Sequence, residues 1–271
     1  SSTAPRRSLG SRVDLGKGNI RRPLDALPYN VVSHRGTQLA DENGREFVKY
    51  NFYSVDPAWR RLPEAERSEG KAEFASAVEE TANSTFVRSF SLVGLRADAD
   101  FLLWQSAKTL ESLQETATTL WHTRLGQYLT QPYSYLAMTR RSQYVGKHKH
   151  EGQEGATARL RPGKDSKYFI VYPFLKTREW YLLPSEERQR MMGDHFKIGH
   201  KYPSVKINTS YSFGLDDQEF VVAFETDSPS DFLDLVMDLR EVEGSLYTLR
   251  DTPIFTCIQR PIRETLDSLG G

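Results

Sequence analysis

The sequence predicts an α+β protein made of two ferredoxin-like βαββαβ units in tandem, and three observations carry that expectation. The pattern W-x-x-L-P-x-x-E-R occurs twice, opened by Trp59 and by Trp180, at a spacing of 121 residues. Gly94-Leu95 and Gly214-Leu215 each end a strand-like run, at a spacing of 120. Finally, strand-like and helix-like stretches follow the same order in both halves. Neither half-sheet can bury both faces alone, so the two copies are expected to pack together.

In the first copy, EFVKYNFYSV reads as a strand and LPEAERSEGKAEFASAVEETAN as a helix. TFVRSFSLVGL and ADFLLWQS read as two strands, TLESLQETATTLWHTRLGQYL as a helix and YSYLAMTRRSQYV as a closing strand. The second copy opens with the strand KYFIVYPFL and the helix PSEERQRMMGDHFKIG. SVKINTSYSFGL and QEFVVAFETD read as a hairpin, and TPIFTCIQR closes the sheet. The helix before it, SPSDFLDLVMDLREVEGSLY, starts with Ser and Asp, whose side-chain oxygens can cap free amides. Pro63 and Pro184 fall at first-turn positions, where a missing N–H costs nothing, and the acidic residues after them suit the helix dipole.

The expected organisation is an irregular extension over 1–44, an N-terminal half over 45–145 and a Gly-rich, charged linker over 146–166. A C-terminal half over 167–262 and a tail over 263–271 complete it. At 271 residues the chain is long enough for a core that needs no staples. Acidic and basic residues balance at 36 each, which gives no case for a nucleic-acid or membrane-surface partner. A single cysteine, Cys257, excludes intrachain disulfides and cysteine-built metal clusters, and fits a reducing, cytoplasmic setting. No apolar run approaches the roughly 20 residues of a transmembrane helix.

A duplicated fold offers an internal control: packing positions keep similar chemistry in both copies, whereas a site built in one copy appears as an asymmetry. At the spacing of 121, His195 falls opposite Phe74, Tyr172 opposite Asn51 and Lys176 opposite Val55. The second copy is therefore the expected chemical half. His195 shares an apolar helical face with Met191, Met192 and Ile198. Such an imidazole is either a core histidine bonded to a backbone carbonyl or an axial ligand to haem iron, which wants a neutral ring and apolar walls. His148 and His150 lie in the charged linker (KHKH), His34 in the extension, His200 beyond a helix end and His122 on a helix of the first copy. Tyr172 and Lys176 read equally as strand packing and a solvated strand end, or as a phenol and an ammonium facing an anionic, redox-active ligand.

YPFLK, then W-Y-x-L-P-x-x-E-R-Q-R-M-M-x-x-H, SFGLDDQEF and LRDTPIF together resemble the chlorite dismutase superfamily. The resemblance is strongest over 167–257 and fair over 46–145. It implies a barrel of the dimeric α/β type, a porphyrin site in the C-terminal half with His195 as proximal haem ligand, and a homopentamer. Within the superfamily, the Y-P-x-x-K motif of Tyr172 and Lys176 is similar to the coproheme decarboxylase branch. That branch uses hydrogen peroxide to convert two propionates of coproheme III into the vinyls of haem b. It implies catalysis by Tyr172, with Lys176 holding a carboxylate. Arg159 and Arg161 resemble propionate contacts, Tyr133 and Tyr135 are further candidates that strand packing explains equally well, and Glu243 is the acid expected to orient His195. Oxygen-forming chlorite dismutases carry a distal arginine where this chain has Ile207 or, with a shifted gap, Asn208. Chlorite dismutation and haem binding without turnover are the alternatives to decarboxylation.

Overall fold

A computed structural model describes residues 44–83, 85–142, 144, 162 and 166–270. The first copy comprises β1 (Phe47–Val55), α1 (Glu64–Thr81), β2 (Phe86–Ser91), β3 (Phe101–Ala107), α2 (Leu110–His122) and β4 (Leu129–Met138). The second comprises β5 (Tyr168–Lys176), the short α3 (Arg178–Leu182), α4 (Ser185–Gly199), β6 (Lys206–Tyr211), β7 (Phe220–Thr226) and α5 (Pro229–Arg240). A short β8 (Thr248–Arg250) and β9 (Phe255–Gln259) follow. The closing residues, expected only as a tail, form α6 (Ile262–Asp267), which packs on α1 and adds Ile262, Leu266 and Leu269 to the first copy's core.

Each copy is a four-stranded antiparallel sheet, ordered β4-β1-β3-β2 in the first and β9-β5-β7-β6 in the second. The two half-sheets join edge to edge at two seams, β2–β9 and β4–β6, so eight strands close into a barrel and no long edge stays unpaired. The seams are short: Phe90 and Ser91 face Gln259 and Ile258 at one, and Met138 faces Tyr211 at the other. Loops clip them. Beyond β6, the Ser212 hydroxyl donates to the Leu136 carbonyl at 2.8 Å, and Leu136 N–H donates to Asp216 at 2.6 Å. Gly94 and Gly214 take matching positive φ values of 76° and 71° in the two turns, a conformation open to glycine at no steric cost.

Strand parity divides the side chains into layers. Val48, Tyr50, Phe52, Trp104, Phe169 and Phe255 fill the barrel lumen. Outside the first half-sheet, Tyr53, Trp59, Phe74, Phe101, Leu103 and Leu120 fill the space beneath α1 and α2. Fully burying each such side chain contributes roughly 1.5–3 kcal/mol. Outside the second half-sheet the buried cluster shrinks to Ile170, Val222 and Phe224. One copy is packed with side chains where the other is not.

Two local expectations need correction. The helix predicted through Tyr247 ends at Arg240, and a 3-10 turn over Glu243–Tyr247 continues the chain. The Ser228 side chain does not cap α5; its hydroxyl meets that of Ser230 at 2.9 Å. Thr109 does cap α2, accepting from Ser112 N–H at 3.2 Å.

Candidate haem site on the second half-sheet

The repeat carries an aromatic pair into both copies. Trp59 meets Tyr128 with ring centroids 5.6 Å apart and planes at 57°, and Trp180 meets Tyr247 at 5.6 Å and 53°. What differs is the cation. Lys176 ends β5 with its ammonium 4.5 Å from the Trp180 ring centroid, and Nζ donates to the Gly244 carbonyl at 2.7 Å. Burial among these groups pushes its pKa down to about 8.

His195 comes to the same layer from α4, which packs on α5 and on the 3-10 turn. The ring is half-buried and makes no hydrogen bond to any described residue. Desolvation, with the neighbouring Lys176 charge, lowers its pKa from 6.5 to about 4, so the imidazole is neutral at physiological pH. A neutral ring without a hydrogen-bond partner among the described residues, opposite an underfilled layer, has the properties an iron porphyrin asks of a donor. The core-histidine alternative needed a backbone acceptor that the described residues do not supply.

Tyr172 shares the outer face of β5, stacked on Phe224 at 5.8 Å and 25°. It lines a cavity of about 360 Å³ between α5 and the strands β5 and β9, whose walls include Ile170, Phe232, Leu233, Val236, Met237 and Ile254. The cavity's polar end is an Arg240–Asp251 ion pair. Burial, followed by the Asp251 charge, drives the Tyr172 pKa well above the ordinary phenol range and keeps Oη protonated. Helix α5 presents an apolar wall because Leu233 and Met237 stand one turn apart.

The remaining expected residues divide. Ile207 faces the outer layer, paired across the sheet with Phe224 and 52% exposed. Asn208 points into the barrel, where Nδ2 donates to Glu225 at 2.8 Å, so the shifted-gap alternative leaves this face. Lys176 meets Gly244 and Trp180 and is not among the residues that line this cavity. Glu243 accepts from Arg190 at 2.7 Å on the surface and not from His195. Tyr133 and Tyr135 pack on the lumen side of β4 against Phe52 and Phe255, the opposite sheet face from His195, and Tyr133 Oη donates to Asp98 at 2.6 Å. Arg159, Arg161, His34, His148 and His150 lie outside the described residues. His122 and His200 are exposed at helix ends.

Sequence reasoning missed Arg240, Asp251 and Glu219. Arg240 and Asp251 gave no signal, because an ion pair between a helix end and a loop follows no sequence period. Glu219 did, since Glu219-Phe220 repeats Asp100-Phe101. Among the described residues no three metal-ligating side chains cluster, and no helix is long and apolar enough to cross a membrane.

The fold is an antiparallel α+β barrel whose second half-sheet carries, over an underfilled outer layer, an imidazole with no hydrogen bond among the described residues. The sequence pattern of the chlorite dismutase family matches residues 67–260, and the chain belongs to that family. It is 36% identical over 168 residues to the coproheme decarboxylase of Mycolicibacterium smegmatis, covering 62% of this chain and 70% of that protein. The fold is similar to chlorite dismutase from Candidatus Nitrospira defluvii in complex with imidazole, with a TM-score of 0.75 and 28% identity over 83% of this chain and 94% of that one. It is also similar to a heme-binding protein from Thermus thermophilus, with a TM-score of 0.71 and 25% identity over 82% and 94% of the two chains.

Proposed function

We propose that this protein is a peroxide-dependent coproheme decarboxylase that yields haem b. The observation that carries the reading is the imidazole of His195, neutral and without a hydrogen bond among the described residues, on the same outer layer as the buried phenol of Tyr172. The residues present fit the group. His195 would hold the iron, and Leu233, Val236 and Met237 would wall an apolar macrocycle.

Coproheme is the substrate and also supplies the iron through which hydrogen peroxide acts as oxidant. For each propionate, loss of CO2, one proton and two electrons leaves a vinyl group, while one peroxide takes up two electrons and two protons to give two waters. Burial fixes the charge state of each protein group in this chemistry. Tyr172 Oη stays an O–H, so it can release a proton together with an electron and then recover a hydrogen from the propionate side chain. Arg240, at the polar end of the cavity, can exchange Asp251 for a substrate carboxylate, since its guanidinium fork binds either bidentately. Lys176 keeps its ammonium beside His195 and favours the neutral ring. Ile207 brings no charge to the outer face, and this supports decarboxylation over chlorite dismutation.

Arg159 and Arg161 are proposed as further propionate contacts. A homopentamer is the proposed assembly, supported by family membership and by the large apolar side chains of Leu182, Leu246 and Leu249 at the surface. A cytoplasmic setting accords with the buried free thiol of Cys257. The test is anaerobic loading with coproheme followed by titrated peroxide. Two CO2 released for two peroxides consumed, with a haemochrome shift to haem b, is the expected result. Peroxide that only bleaches the porphyrin would leave a haem-binding protein, and oxygen from chlorite would make it a dismutase.

A further inference from the structure

Glu219 lies immediately before β7 and is 8% exposed. Its carboxylate gathers three donors. Oε2 accepts from Lys176 N–H at 2.9 Å and from Tyr181 Oη at 2.5 Å, while Arg178 Nη1 stands 3.6 Å from Oε1. The first copy contains the same node in simpler form: Asp100 Oδ2 accepts from Val55 N–H at 2.7 Å, and Arg60 lies 3.9 Å from Oδ1. By the repeat offset, Val55 corresponds to Lys176 and Arg60 to Tyr181. A carboxylate that ties down the end of the first strand therefore belongs to the architecture of both halves.

The copies differ in what that strand end carries. In the first it is Val55, a packing residue. In the second it is Lys176, held at its own amide by Glu219, at Nζ by the Gly244 carbonyl and over the ring of Trp180. The next amide, Thr177 N–H, donates to the Tyr247 carbonyl at 2.9 Å. The strand register also shifts between Leu175 and Lys176, which pairs with Thr248 of the three-residue β8. Glu219 adds a charged anchor at this irregular end of the ladder. Its charge-assisted bonds are buried, and their loss would free the lysine backbone and strand the Tyr181 hydroxyl.

We infer that Glu219 is a positioning residue for the haem reaction: by fixing the end of β5 it holds the Lys176 ammonium over Trp180 and on the Gly244 carbonyl, in the 3-10 turn that packs on α4, and so sets how that helix presents the His195 imidazole toward iron. The inference rests on the reading of His195 as the iron ligand. Outer partners of this kind alter metal affinity by about 10–100-fold when removed.

The experiment compares wild type, Glu219→Gln and Glu219→Ala in two measurements. The first is amide exchange at Lys176 in the haem-free protein, and the second is the iron–histidine stretch and haem dissociation rate after loading with haem. The Ala variant should lose protection at the Lys176 amide, shift or broaden the stretch, and release haem about tenfold faster. The Gln variant, whose carbonyl still accepts both bonds, should stay near wild type. A stretch and release rate unchanged in the Ala variant, with only the melting temperature lowered, would overturn the inference, as would equal loss in both variants. Should the Ala variant not fold, Glu219→Asp withdraws the carboxylate by one methylene and is expected to move the stretch the same way; a wild-type stretch there would overturn it too. Wild-type protein that shows no iron–histidine stretch would refute His195 as ligand and the inference with it. That failure is told apart from failure of Glu219 because it appears before any variant is compared.

Discussion

Arg88 reaches across the barrel lumen to Glu225, Nη1 to Oε2 at 2.9 Å, and ties β2 of one repeat to β7 of the other. Glu225 is 1% exposed and also accepts from Asn208, so the two halves share a charged contact inside the barrel. Removing one partner leaves the other charge in the lumen. Arg88→Met is expected to destabilise the fold by about 3–5 kcal/mol in denaturant melts, whereas Arg88→Met with Glu225→Leu should recover most of that loss. Equal stability of the single variant and wild type would show that the pair does not couple the halves.

His195→Ala removes the proposed iron ligand from a helix face that does little packing. The fold should survive with a stability change of about 1 kcal/mol, while haem affinity falls at least about tenfold. Added imidazole should restore the absorption spectrum by entering the space the side chain leaves. Undiminished haem binding by the variant would move the site elsewhere.

Tyr172→Phe keeps the stacking on Phe224 and deletes only the hydroxyl. The variant is expected to bind coproheme with wild-type affinity and to release no CO2 on peroxide addition. Turnover within about tenfold of wild type, a difference of about 1.4 kcal/mol in barrier, would exclude the phenol from the hydrogen transfer.

The acid limb of stability should carry the signature of His195. Its folded pKa of about 4 lies below the ordinary 6.5, so as pH falls the unfolded chain takes up the proton first. The contribution is fully present above about pH 6.5 and is lost as pH falls toward 4, an effect on the order of 1–3 kcal/mol. Haem uptake through the neutral ring should accordingly stay flat down to about pH 5. A loading midpoint near 6.5 would contradict the buried, uncharged ring. His195→Ala melts across the same range provide the control.

Much of the architecture could be read from the chain because it is written twice. W-x-x-L-P-x-x-E-R and the paired Gly-Leu turns fixed the period, and in the structure strand alternation puts Phe169 and Val171 on one face and Ile170 and Tyr172 on the other. The same offset singled out His195, Tyr172 and Lys176 against Phe74, Asn51 and Val55, since a local exchange of residue type needs no knowledge of distant contacts. All three reach the outer layer of the second half-sheet.

Contacts between distant segments were decided only when the sheet closed. Joining β4 to β6 and β2 to β9 set which face of β4 looks inward, and that placed Tyr133 and Tyr135 in the lumen and not with His195. It also turned Asn208 inward and left Ile207 outside, a distinction that a shift of one residue reverses and that composition does not encode. Lys176 found Gly244, Arg240 found Asp251 and Glu243 found Arg190 through helix ends and turns that follow no period. The chain alone thus determined the repeat, the layers and the odd residues within them. Three-dimensional closure chose their partners, because a side chain's reach is set by distance in space and not by position in sequence.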